Sequence, residues 1–217
     1  MFESLLSVLK MYDDTLPPGP QELISGSSLH GFYGEFVEGL PGPLAFANLV
    51  GITEGTPIAT AGGWLKMVEN GKLIYIAKQQ LRNNIRWTEL NAKDLIFGKI
   101  IQIGRHQFRV RVMTGTTKNV VSNTISWGGE WERWMYPLGV GRSANYNPVL
   151  ASFTNVELGC APSVVGSACW VQEESAADPQ FHRARGYNQL IGTTTEIADS
   201  GMANYGWRPV LDLIGKA

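Results

Sequence analysis

The sequence predicts a mixed α+β fold, with one main domain preceded by an appendage. Three observations carry this expectation. Short apolar runs bounded by turn residues recur from Trp64 onward, two later segments place apolar residues at helical spacing, and the stretch 139–200 shows neither period.

Composition narrows the class. Eighteen Lys and Arg oppose nineteen Asp and Glu, for a net charge of −1, and charged residues make up only 17% of the 217 positions. A nucleic-acid binder needs a basic face to neutralise phosphates, so that class is set aside. Seven Trp, eight Phe and seven Tyr supply ample core material, which argues against disorder. No apolar run approaches the ~20 residues that span a bilayer, so no membrane insertion is expected. The first ten residues lack a basic n-region and a small-residue cleavage site, and no secretory signal is read there.

The elements follow in order. Phe2, Leu5, Leu6, Leu9 and Tyr12 fall on one stripe of a helix, which Pro17-Pro18-Gly19-Pro20 stops, defining a first unit over 1–20. So short a helix is marginal alone, and its stripe docks either on its own domain or on a partner subunit. Residues 21–63 are rich in Gly and Pro and read as an extended arm, with short apolar runs such as 44–50 as anchors.

The main domain, 64–217, holds all seven tryptophans. Leu73 to Ala77, after the turn Asn70-Gly71, reads as a buried strand. Thr88 to Phe97 reads as a short helix ending at Gly98. Lys99 to Ile103 and Gln107 to Met113 read as a hairpin around Gly104-Arg105-His106. In its second strand Phe108, Val110 and Val112 face inward while Arg109 and Arg111 face water. Trp127, Trp131, Trp134 and Met135 share a helical face that ends at Pro137, and Trp207 to Ile214 reads as a closing strand.

Several landmarks, taken together and in order, resemble a recurrent phage virion protein domain. They are Trp64-Leu65-Lys66, Gly71 to Lys78, Ile85-Arg86-Trp87, Gly129 to Arg133 before Met135-Tyr136, Trp170 to Glu173, Arg183 to Tyr187, and Tyr205 to Leu211. The last is similar to the closing strand of C-type-lectin-like domains, including the formylglycine-generating-enzyme branch. The stretch from Leu23 to Glu35 also resembles the segment that precedes this domain in phage proteins. The resemblance spans about Gln21 to Leu213. It implies a C-type-lectin-like domain with short antiparallel strands, two short helices and a long irregular loop region, displayed outward on a particle assembled in the host cytoplasm. It implies a structural, non-enzymatic role on tail, neck or head, with other virion proteins as partners through the N-terminal helix and arm. Repetition within a particle adds a homo-oligomer. A receptor-binding adhesin recognising a host surface glycan or protein is the alternative.

Candidate site residues come from the loop region: Tyr146, Asn147, Phe181, His182, Tyr187 and Asn188, since Tyr and Asn give rigid contact area and adaptable hydrogen bonds. The alternative is that Phe181 and Tyr187 pin the loops to the base, since buried aromatics are common. Trp131, Trp134 and Trp207 read as core with the neighbouring charges solvated, and Arg208 as a buried hydrogen-bonding residue. Formylglycine-generating chemistry needs a closely spaced reactive cysteine pair near the closing segment. Cys160 and Cys169 are nine positions apart and lie upstream, and read as reduced, partly buried thiols. Glycoside hydrolysis needs two facing carboxylates, and Glu130 with Glu173 is the only pairing suggested. His30, His106 and His182 form no ligand spacing, so neither a metal nor a cofactor is expected.

Overall fold

The computed structural model describes residues 16–58, 62–116, 129–140 and 149–216. Phe2, Leu5, Leu6, Leu9, Tyr12, Trp127, Tyr146 and Asn147 lie outside the described residues. The fold is mixed α+β, mostly antiparallel strands in two sheets with a few short helices.

In chain order the elements are β1 (Ser25–Gly26), β2 (His30–Phe36), α1 (Pro43–Val50), β3 (Thr56–Pro57), β4 (Trp64–Glu69), β5 (Lys72–Ala77) and β6 (Arg82–Asn83). Then come α2 (Trp87–Asn91), β7 (Lys99–Ile103) and β8 (His106–Arg111), followed by a π turn at Trp131–Met135 and a 3-10 turn at Tyr136–Leu138. The chain closes with β9 (Ala168–Glu174), β10 (Phe181–Arg185), β11 (Thr193–Ile197), β12 (Tyr205–Trp207) and β13 (Val210–Lys216).

One sheet runs β1-β2-β4-β5-β13-β8-β7, the other β11-β10-β9-β12-β6-β3. At the heart of the first, β4 and β5 pair from Trp64 with Ala77 to Glu69 with Lys72. Their turn needs two positive φ angles, taken by Asn70 at 52° and Gly71 at 74°. Both strands are apolar almost throughout because both faces are covered. Trp64, Tyr75 and Ala77 join a core with Phe46, Trp170 and Trp207, while Leu65, Met67, Ile74 and Ile76 join another with Trp131, Trp134 and Met135.

The closing segment ties the sheets together. Rather than one strand, it forms β12 inside the second sheet and β13 inside the first, separated only by Arg208 and Pro209. The chain from β5 to β6 makes the same crossing alongside: Ala77 N–H donates to Pro209 O at 3.1 Å and Leu81 N–H to Trp207 O at 2.9 Å. Arg208 is buried at this crossing and donates to Lys78 O at 2.9 Å and to Leu158 O, the hydrogen-bonding role expected of it.

Four further expectations are corrected. The Gly/Pro-rich stretch 21–63 is no separate arm. It supplies β2, paired with β4 along the first sheet, and α1, whose Phe46, Ala47 and Val50 are fully buried. Helix Thr88 to Phe97 shortens to α2, and the chain continues in turns to Gly98. The irregular region 139–200 contains β9, β10 and β11, three neighbouring strands of the second sheet. Their pairing with one another stabilises runs too short and polar to show a period. Finally, Arg111 and Glu132 are buried rather than solvated.

Candidate functional site

Antiparallel register places Ile74, Asp212, Arg109 and Ile100 in one row across β5, β13, β8 and β7, and Arg111 two residues from Arg109 shares their face. The π turn covers only part of this face. The uncovered part is the floor of an open cleft of about 650 Å³, walled on one side by Glu69, Arg133 and Trp134.

The charges in the cleft hold one another. Asp212 accepts from Arg109 Nε at 2.9 Å and from Arg111 Nε at 2.8 Å. Glu130 takes Arg111 in a two-pronged pair, at 2.5 and 2.8 Å, and also accepts the Thr114 N–H at 2.9 Å. Burial works against the Arg111 charge, but the bonds to Glu130 and Asp212 outweigh it and hold its pKa above the ordinary value. Across the cleft, Arg133 Nε donates to Glu69 at 2.7 Å, and the Trp134 indole N–H donates to the other oxygen of the same carboxylate. The Arg111 guanidinium lies 5.5 Å over the Trp134 ring. Arg109 and Arg133 remain 49% and 42% exposed, so both reach solvent at the cleft mouth.

Beside Glu130 lies a second polar cluster, in which Glu132 and Arg185 are buried and Glu173 is partly buried. Glu173 accepts the Gly115 N–H at 2.8 Å, and Glu132 accepts the Gly129 N–H at 3.0 Å. Arg185 donates to Gly115 O at 3.1 Å and to the Tyr136 hydroxyl at 2.7 Å, and pairs with Glu132. Burial pushes both carboxyls above the ordinary range, against the pull of these donors. Glu130 and Glu173 are thus brought to the same backbone stretch, and Glu130's charge helps raise Glu173. Each accepts from that backbone, Glu130 from the Thr114 N–H and Glu173 from the Gly115 and Thr116 N–H groups.

No family model, curated protein or solved structure matches this chain. The chemistry of the site therefore rests on its own residues.

Those residues are largely not the ones singled out from the loops. His182 is buried with its ring stacked 3.8 Å from that of Trp87. Tyr187 is partly buried and packs on the core, as a pin would, and Phe181 is half-buried at the start of β10. Asn188 is exposed, in a left-handed turn with φ 61°. None of these four lines the cleft. Cys160 and Cys169 are both free and fully buried, and burial pushes the Cys160 thiol up to about 12, where it is unreactive. The signal for the cleft was present in the alternation of Arg109 and Arg111. Its reading required knowing that Asp212 stands in register between them and Ile74.

Proposed function

We propose that the protein is a structural component of a bacteriophage particle. It displays a C-type-lectin-like domain outward and is anchored to other virion proteins through its N-terminal segment, as one copy of a homo-oligomer. The observation that supports this reading is the closing segment Tyr205 to Leu211, the landmark most similar to C-type-lectin-like domains. Here it is the seam of the fold, one part paired inside each sheet and Arg208 fastening the crossing. A base closed in this way holds its loops from a rigid frame, which is what display requires.

The test is immunogold labelling of intact particles with antibody against residues 64–217, with a blot of dissociated virions. Gold on the particle and a band in the blot are expected. Absence by both measurements overturns the reading.

A second reading, a receptor-binding adhesin on the same particle, is favoured by the cleft, whose exposed guanidiniums belong to a preformed site of ligand size. Gold confined to the distal tail favours this second reading.

A further inference from the structure

We propose that the cleft between β8, β13 and the π turn binds an acidic saccharide, a short glycan carrying one carboxylate among its hydroxyls. The inference deepens the adhesin reading and rests on it for biological context, while the binding itself follows from the cleft.

Four features define the ligand. First is charge: Lys72, Arg109, Arg111 and Arg133 face Glu69, Glu130 and Asp212, leaving a surplus of one positive charge. A single anionic group balances that surplus, whereas a polyanion meets three carboxylates at close range. Second is donor geometry. Arg109 turns its Nε and one terminal nitrogen to Asp212, yet stays 49% exposed at the mouth, and a planar guanidinium in that position suits an incoming carboxylate. Third, the oxygens of Glu69 and Asp212 already accept from Arg and Trp donors, yet both carboxylates keep some surface on the same space, where a remaining lone pair can take a sugar hydroxyl. Fourth, Ile100 and Ile214 both line the cleft and are exposed, apolar surface against which the C–H face of a pyranose ring can lie.

Size agrees, since about 650 Å³ lies within the ~300–1,000 Å³ of small-ligand sites. Pre-organisation agrees too. Asp212 fixes Arg109 and Glu69 fixes Arg133 before any ligand arrives, so little side-chain ordering is left to oppose binding.

The experiment is calorimetric titration of the full chain with short oligosaccharides, each bearing one hexuronic or one nonulosonic acid, against their carboxyl-reduced counterparts. At least one acidic member is expected to bind, with the reduced form weaker by roughly tenfold or more, as for loss of a charged hydrogen bond. Arg109→Gln is expected to weaken the acidic ligand by a similar factor. Ile100→Glu, at an exposed position beside Arg109, is expected to weaken the acidic ligand by setting a carboxylate against its own, with unchanged melting temperatures showing that both variants fold. Failure of every acidic member to bind, equal binding of the reduced forms, or indifference to both substitutions overturns the proposal. Adsorption of the isolated chain to host cells without any preference for acidic sugars keeps the adhesin reading and overturns this inference alone.

Discussion

Arg185 and Glu132 form an ion pair at 2.9 Å in which each side chain is only 1% exposed. Arg185 comes from β10 and Glu132 from the π turn, so the pair joins the second sheet to the aromatic helical turn. Removing one partner leaves the other charge buried. Glu132→Gln or Arg185→Met is therefore expected to destabilise by about 3–5 kcal/mol in chemical denaturation. The double variant Glu132→Leu/Arg185→Met is expected to recover most of that loss, because no lone charge remains. Additive losses in the double variant would show that the pair is not the source of the effect.

Gly129 meets the backbone of Gly115 and Thr116 so closely that an added Cβ would stand 2.5 Å from Gly115 C and from Thr116 N. Neither neighbour is a side chain that can swing away. Gly129→Ala is expected to destabilise by about 3 kcal/mol through forced backbone movement. It should also disturb the Glu173 and Glu132 bonds to Gly115 and Gly129, visible as faster amide exchange at those two positions. A melting temperature equal to wild type would contradict the close approach.

Lys66 is buried on β4, donating to Pro20 O at 2.6 Å with its ammonium 5.2 Å from the Tyr33 ring centroid. Burial pulls its pKa down to about 8, against about 10.4 for an exposed lysine. Between those values the unfolded chain keeps a proton that the folded chain has released. Stability therefore rises with pH across that window. Lys66→Met is expected to flatten the rise between pH 8 and 10 and to leave stability at pH 7 equal or higher. A variant that keeps the wild-type slope in urea denaturation would place the titration elsewhere.

Burial also lowers the His182 pKa, with the charge of Glu174 opposing. As pH falls below about 6.5 the unfolded chain takes up a proton first, so stability declines from there through the lower folded value. His182→Phe keeps a ring against Trp87 and removes the titration. Its melting temperature should fall less than wild type between pH 7 and 5. Parallel curves would show that the stacked imidazole is not the titrating group.

Much of the first sheet was legible locally. Lys72 to Ala77 is a short apolar run behind an Asn-Gly turn, and Lys99 to Arg111 shows the alternation of a hairpin. The burial of Trp131, Trp134 and Trp207 also followed from their type and spacing. The second sheet was far less legible. Thr193 to Ile197 carries no apolar period, and it is a strand because β10 pairs with it over five residues. Likewise α1 lies in a stretch whose Gly and Pro content suggested an extended arm, yet Pro43 sits at the helix start, where a missing N–H does no harm.

The sequence by itself determined the α+β class, the turn at Asn70-Gly71, the hairpin of β7 and β8, and the aromatic content of the core. Those depend on neighbours within a few positions, through backbone preference and periodicity. Tertiary structure alone decided that Tyr205 to Val210 divides between two sheets, that Glu132 and Arg111 are buried, and that Arg109, Asp212 and Arg133 share one cleft. The reason is physical: whether a charge faces water or a counter-charge depends on partners far along the chain, 101 positions for Arg111 and Asp212, which no local period records.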